Sequence, residues 1–110
     1  MSIILGRKAS PRFPTALTVV LSNGKGNYVV ETKNLSDTGL CLFPKEVFPV
    51  GTQLHLVFGQ PPDLPRISTE GIVRWSESEK GVGVEFVLIN PHDARAIQDF
   101  VASQPRAKQV

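Results

Sequence analysis

The 110-residue sequence predicts one mainly β domain, made of six short antiparallel strands followed by a single C-terminal α-helix. Three observations carry this prediction. Apolar and polar residues alternate at the two-residue period of a strand, turn-forming residues separate these runs at short intervals, and only the last apolar pattern has helical spacing. Short strands of this kind favour a small barrel or a sandwich.

The first two strands form a predicted hairpin. Leu17, Val19 and Leu21 alternate in TALTVVLS, so we expect them on the inward face of the first strand. The Asn-Gly pair in SNGKGN is a strong signal for a hairpin turn, and the chain returns through YVVETK. The polar segment NLSDTG, residues 34–39, then leads into a short apolar strand at residues 40–43.

Three more strands follow the connection PKEVFPVG, whose two prolines and glycine interrupt any regular ladder. They are predicted at residues 52–58, at about 66–76 and at 82–89. The inward positions expected in the first and last of these strands are Leu54, Leu56 and Phe58, and Val82, Val84, Phe86 and Leu88. Phe43 and Trp75 also lie within alternating runs, so we expect both rings in the core, and exposed platforms for stacking bases are the alternative.

The predicted helix covers about residues 91–103. Asn90 is a suitable N-cap, Pro91 fits the first helical position, and Pro105 ends the helix. We therefore expect a flexible N-terminus at 1–6, one domain at 7–104, and a tail at 105–110.

Composition excludes several classes of protein. Twelve Lys and Arg against ten Asp and Glu give a net charge of +2, which is too small to indicate a binder of polymeric nucleic acid. The single cysteine, Cys41, excludes an intrachain disulfide and is typical of a small buried hydrophobe. No stretch has the length of a secretion signal or a membrane span, so we expect a cytoplasmic location and no membrane insertion.

The sequence lacks the common catalytic and cofactor-binding motifs of enzymes. It has no nucleophile elbow, phosphate-binding loop or dinucleotide fingerprint, and its acidic residues are scattered. His55 and His92 are too few for a histidine-based metal site and are expected to decorate a strand and a helix. The sequence therefore predicts no enzyme, no metal site and no cofactor.

Two polar segments remain as candidates for ligand binding. Arg7, Lys8 and Arg12 make the start of the chain locally cationic, and NLSDTG groups short polar side chains with a glycine. Arginine forks bind phosphate or a guanine edge, so the two segments together would suit a small anionic nucleotide that contains guanine. A solvated arm and an ordinary turn are the alternative interpretations.

At these residues the chain resembles the PilZ domain, a bacterial receptor family for cyclic di-GMP. The family has an RxxxR motif near its start and a D/N-x-S-x-x-G motif after the second strand, and the second motif is complete here as Asn34, Ser36 and Gly39. GIVRW at 71–75 and GVGVEF at 81–86 are similar to later strands of the family. The resemblance spans about residues 7–100.

This resemblance implies a six-stranded antiparallel β-barrel with a C-terminal helix and cyclic di-GMP as the ligand. The ligand-binding residues it implies are Arg7, Lys8, Arg12, Asn34, Ser36 and Gly39. One position departs from the family pattern: Lys8 stands at the RxxxR spacing from Arg12, with Arg7 one residue further out. Lysine keeps the charge but lacks the planar fork of arginine.

Two functional hypotheses follow from the resemblance. In the first, the protein is a stand-alone cyclic di-GMP receptor whose N-terminal arm changes on binding and signals to a downstream protein partner. In the second, it is a PilZ-like domain that has lost the ligand and acts as a protein-protein interaction module. The family is linked to motility, surface attachment and exopolysaccharide output.

Overall fold

The computed structural model describes residues 13–43 and 48–104, which form seven antiparallel strands and one helix. The strands are β1 (Phe13–Pro14), β2 (Thr18–Ser22), β3 (Asn27–Leu35), β4 (Gly39–Leu42), β5 (Gln53–Gln60), β6 (Leu64–Glu77) and β7 (Gly81–Val87), and the helix is α1 (Pro91–Ser103). The termini predicted at 1–6 and 105–110 lie outside the described residues.

The six longer strands close into a barrel, as the sequence predicted. Neighbouring strands follow the order β3, β2, β5, β6, β7 and β4, and the pairing of β3 with β4 closes the ring. The two-residue β1 pairs with β3 as well. Because β1 and β2 pair with different parts of β3, they act as one interrupted strand of the barrel.

The barrel interior is filled by aliphatic side chains and a few aromatic rings. The predicted inward residues of β2 and β5 are all buried, and so are the three predicted in β7 up to Phe86. Phe58 and Phe86 stack with ring centroids 5.9 Å apart. Two helix residues, Ile97 and Phe100, complete the same core cluster, so α1 covers part of the barrel.

The start of α1 follows the predicted capping pattern. The side chain of Asn90 accepts a hydrogen bond from the backbone N–H of His92 at 2.7 Å, and Pro91 occupies the first helical position. This cap satisfies one of the N–H groups that a helix leaves without an internal partner. With 13 residues, the one helix of the described part is too short and too polar to cross a membrane.

Three residues predicted to lie in the core are exposed. Phe43 is 51% exposed, Trp75 is 39% exposed and Leu88 is 92% exposed. Phe43 lies just beyond the end of β4, and Trp75 follows a bulge that breaks the alternation of β6. Leu88 follows the last paired residue of β7 and has a φ of 56°, which turns the chain out of the sheet toward α1.

Candidate functional site

The segment between β3 and β4 is a tight turn closed by its own polar atoms. The backbone N–H of Ser36 donates to the carbonyl of Gly39 at 2.9 Å. The N–H of Thr38 donates to the hydroxyl oxygen of Ser36 at 3.2 Å. Short polar side chains form turns of this kind because they replace backbone partners. We call residues 36–39 the polar turn.

Ser36 is directed into the polar turn and not toward solvent. Its side chain is 1% exposed, and its hydroxyl lies 3.0 Å from the hydroxyl of Thr38 and donates to the carbonyl of Gly39 at 3.3 Å. These two contacts and the bond from the Thr38 N–H are all made within the polar turn. The serine therefore shapes the backbone that a ligand would meet.

Gly39 brings the polar turn against strand β7. A Cβ at this position would collide with the carbonyl oxygen of Val84, so no other residue fits without a shift. On the same side, the carbonyl of Thr38 accepts from the N–H of Phe86 at 2.9 Å. The glycine is needed for this close approach of two backbones.

Two β-bulges change which side chains face outward. In β3 the register shifts between Thr32 and Asn34, and in β6 it shifts between Val73 and Trp75. Each bulge adds one unpaired residue, so two consecutive side chains point away from the core. The outward pairs are Lys33 with Asn34 and Arg74 with Trp75, whereas Thr32, Leu35 and Val73 are buried.

The two bulged strands are joined by a row of outward positions. Asn34 pairs with Cys41, Cys41 with Gly83, and Gly83 with Trp75, so the row crosses β3, β4, β7 and β6. We call these four residues the outer row. Three strand spacings make the row about 14 Å long. Cys41 is buried as predicted, at 4% exposed, but it lies in the outer row and outside the core cluster.

One end of the outer row is the exposed ring of Trp75. The indole of Trp75 lies over Gly83, where a Cβ would collide with the indole nitrogen. Because the ring rests on a residue without a side chain, its other face is available to solvent. Phe43 is a second exposed ring, and the ammonium of Lys33 lies 5.5 Å from its centroid.

An ion pair lies between Trp75 and the polar turn. The Nε of Arg74 is 2.5 Å from a carboxylate oxygen of Glu85, and both side chains are about half exposed. Glu85 pairs with Gly39 across β4 and β7. The guanidinium therefore lies above β7, beside the polar turn.

The polar turn also contacts the helix. The side-chain amide of Gln98 donates to a carboxylate oxygen of Asp37 at 2.7 Å. Gln98 is next to the buried Ile97 in α1, so the contact joins the polar turn to the element that covers the barrel.

The structure brings three of the six predicted ligand-binding residues together. Asn34, Ser36 and Gly39 lie at the end of β3, in the polar turn and at the start of β4. The predicted contacts of Arg7, Lys8 and Arg12 fall outside the described residues.

The pairing of β1 shows where the first described residues lie on the barrel. Phe13 pairs with Leu35, and Pro14 pairs with Asn34. The described chain thus begins beside the outer row, at the end where the polar turn lies.

Sequence reasoning considered Trp75 as a stacking platform but favoured a place in the core, and it missed Arg74 as a site residue. Their place in the site depends on a bulge and on pairing between strands distant in the sequence, which a two-residue period does not show. The available signal was Gly83, because a glycine inside a strand indicates close approach of another group. Among residues 13–43 and 48–104, no group of three or more His, Cys, Asp and Glu side chains is placed to hold a metal ion.

Comparison with known families and structures agrees with this geometry. The PilZ domain model matches residues 6–103. The Bacillus subtilis inhibitor of motility, MotI/DgrA, aligns with a TM-score of 0.74 and 20% identity, covering 94% of this chain and 52% of that one. The chain thus spans about half the length of that protein.

A second solved structure has the same fold. The PilZ domain of CeSA from a cellulose-synthesizing bacterium aligns with a TM-score of 0.64 and 14% identity, covering 84% of this chain and 96% of that domain. At these identities the likeness establishes the fold alone. No curated protein matches the chain.

Proposed function

The chain belongs to the PilZ domain family, and from that premise we propose that it is a cyclic di-GMP receptor that binds its ligand across the outer row. The observation that carries the proposal is the complete Asn34, Ser36 and Gly39 motif, which lies at the end of β3 and in the polar turn and is joined by the outer row to an exposed tryptophan. Polar groups can bond the edge of a guanine base, and an aromatic ring can stack on its face.

In this proposal Trp75 is the stacking surface for one guanine base. Stacking of a base on an aromatic side chain contributes about 1–3 kcal/mol. The ring already rests on Gly83 and loses little further freedom when a base covers it. Asn34, at the other end of the outer row, contacts the ligand through its amide.

Ser36 and Gly39 support binding by fixing the backbone of the polar turn. The serine hydroxyl is enclosed in the turn, so its contribution is the position of neighbouring groups. Gly39 keeps the turn against β7, where it pairs with Glu85 of the Arg74–Glu85 ion pair.

The basic residues at the start of the chain supply the remaining positive charge. Arg12 precedes Phe13 directly, and Phe13 pairs with Leu35 next to the polar turn. Arg12 and Arg7 provide forks for guanine and phosphate, and Lys8 acts as a point charge on phosphate. An N-terminal arm that closes over the ligand would present a new surface, through which the response passes to a protein partner.

A role in motility control is the process we favour for that response. It is supported by the fold similarity to the inhibitor of motility MotI/DgrA, of which this chain covers about half. Lys8, at the position of a motif arginine, favours the second candidate function, an interaction module without ligand.

Calorimetric titration of cyclic di-GMP separates the two functions. GTP and cyclic di-AMP serve as control ligands, and Arg12→Ala is the variant expected to lose affinity. Saturable binding that is weakened in Arg12→Ala supports the receptor. A complete lack of binding up to about a millimolar ligand, which corresponds to about −4 kcal/mol, would support the interaction module.

A further inference from the structure

We propose that Arg74 reads the guanine base that stacks on Trp75, donating hydrogen bonds from its guanidinium to O6 and N7 of that base. The inference rests on the proposed function and extends it to a residue outside both family motifs. Its role would be specificity for guanine at the site.

The first observation is the bulge in β6. It places Arg74 and Trp75 on the same outward face, whereas regular alternation would have sent one of them into the core. A bulge that redirects a side chain is typical of the neighbourhood of a binding site. Both side chains therefore reach the same region of the surface.

The second observation is the direction of the guanidinium. Arg74 bonds Glu85, and Glu85 pairs with Gly39 of the polar turn, so the guanidinium lies between Trp75 and that turn. A base lying flat on the indole occupies a plane parallel to the ring and above it, and its edge can extend beyond the ring. Arg74 precedes Trp75 in the chain and shares its outward face, so its guanidinium can approach such an edge.

The third observation is chemical. Guanine presents two acceptors, O6 and N7, on one edge, and the planar fork of arginine donates to both at once. Adenine has a donor in place of O6, so the same fork does not fit it. Glu85 contacts the Nε of Arg74, so the two terminal nitrogens of the guanidinium can donate elsewhere.

A guanine contact from Arg74 would also compensate for Lys8, which stands where the first family motif has an arginine. Lys8 cannot donate two parallel hydrogen bonds to one base edge. An arginine from β6 would provide the fork that this motif lacks, while Lys8 retains a charge for phosphate.

The test compares Arg74→Lys with wild type, using cyclic di-GMP and its 7-deazaguanine analogue, which lacks the N7 acceptor. We expect wild type to bind the analogue about tenfold more weakly than cyclic di-GMP, the effect of one hydrogen bond to a charged group. Arg74→Lys should bind cyclic di-GMP about 10- to 100-fold more weakly and should bind the two ligands almost equally.

Arg95→Lys is the matched control. Arg95 lies on α1, paired with Asp99 at 3.0 Å, so the same chemical change occurs at an exposed ion pair away from the outer row. This variant should bind both ligands like wild type. The unfolding midpoints of both variants should also match that of wild type, because exposed ion pairs contribute little to stability.

The possible failures are distinguishable. If wild type binds no cyclic di-GMP, the proposed function itself is wrong. If wild type binds and Arg74→Lys keeps the same preference for cyclic di-GMP over the analogue, Arg74 does not read N7 and the inference is overturned. The same conclusion follows if Arg95→Lys weakens binding as much as Arg74→Lys does.

Discussion

The indole of Trp75 rests on the bare backbone of Gly83, its partner on the neighbouring strand. This contact keeps the ring flat against the barrel and leaves its outer face exposed. The arrangement explains why a glycine occupies the middle of β7, where a larger residue would be better suited to a strand.

Replacing Gly83 with alanine should displace the ring. The added Cβ would collide with three atoms of the indole, so Trp75 must move outward. We expect the affinity for cyclic di-GMP to fall by about tenfold or more, since a stacking contact is lost. Trp75 is the only tryptophan, so its fluorescence would report the displacement directly.

Gly26→Ala provides a control for this change. A Cβ at Gly26 would lie 3.5 Å from the Tyr28 hydroxyl, an ordinary contact distance. This variant should leave both the fluorescence of Trp75 and the affinity unchanged. Equal affinities for Gly83→Ala and wild type would argue against Trp75 as the stacking surface.

Removing the ring itself is a second prediction. Trp75→Ala should weaken cyclic di-GMP binding by about 10- to 100-fold, the effect of losing one stacked base. Phe43→Ala removes another exposed ring, one that lies outside the outer row, and should change affinity by less than about threefold. Calorimetry on both variants measures the difference, and a larger loss in Phe43→Ala would place the base elsewhere.

How much of this site the sequence could predict depends on the range of the contacts involved. The alternation of apolar residues predicted the strands, because each strand places every second residue in the core. The capping residues around Asn90 predicted the start of α1, since a cap is a local contact.

The bulges were not predictable in the same way. An extra residue in β6 breaks the alternation without changing the composition, so Trp75 was assigned to the core and Arg74 was overlooked. Leu88 was also misplaced, because its apolar character continues the pattern of β7 after the pairing has ended. The pairing of β6 with β7 and of β7 with β4 brings distant segments together, and no local pattern contains that information.

The buried side chain of Thr32 is expected to stabilise the segment that leads into β2. Its hydroxyl accepts from the N–H of Leu17 at 2.8 Å and donates to the carbonyl of Thr15. Thr32→Val keeps the shape but leaves that buried N–H without this partner. The free energy of unfolding should fall by about 1–3 kcal/mol, measured by urea denaturation.

Thr52→Val is the control for Thr32→Val. The hydroxyl of Thr52 donates to the carbonyl of Pro49 at 2.6 Å in an exposed setting, where water replaces the lost partner. Its effect should stay within about 0.5 kcal/mol. If the free energy of unfolding fell equally in the two variants, burial of the Thr32 hydroxyl would add nothing to its contribution to stability.

Leu88 is predicted to be a position where substitution increases stability. Its φ of 56° lies in the left-handed region, which costs a branched L-residue about 1–2 kcal/mol, and its side chain is almost fully exposed. Asparagine tolerates this region better, so Leu88→Asn should raise the free energy of unfolding by about 0.5–1 kcal/mol. Val50→Asn replaces another exposed apolar residue and should give no such gain.

The central claim is that cyclic di-GMP binds across the outer row, and amide NMR spectra recorded during a ligand titration test it most directly. We predict that the largest shifts occur at Asn34, Thr38, Gly83 and the indole N–H of Trp75. Signals from Val20 and His55, on the outward faces of β2 and β5, should remain in place. Shifts centred on β2 and β5, or no shifts at saturating ligand, would contradict the claim.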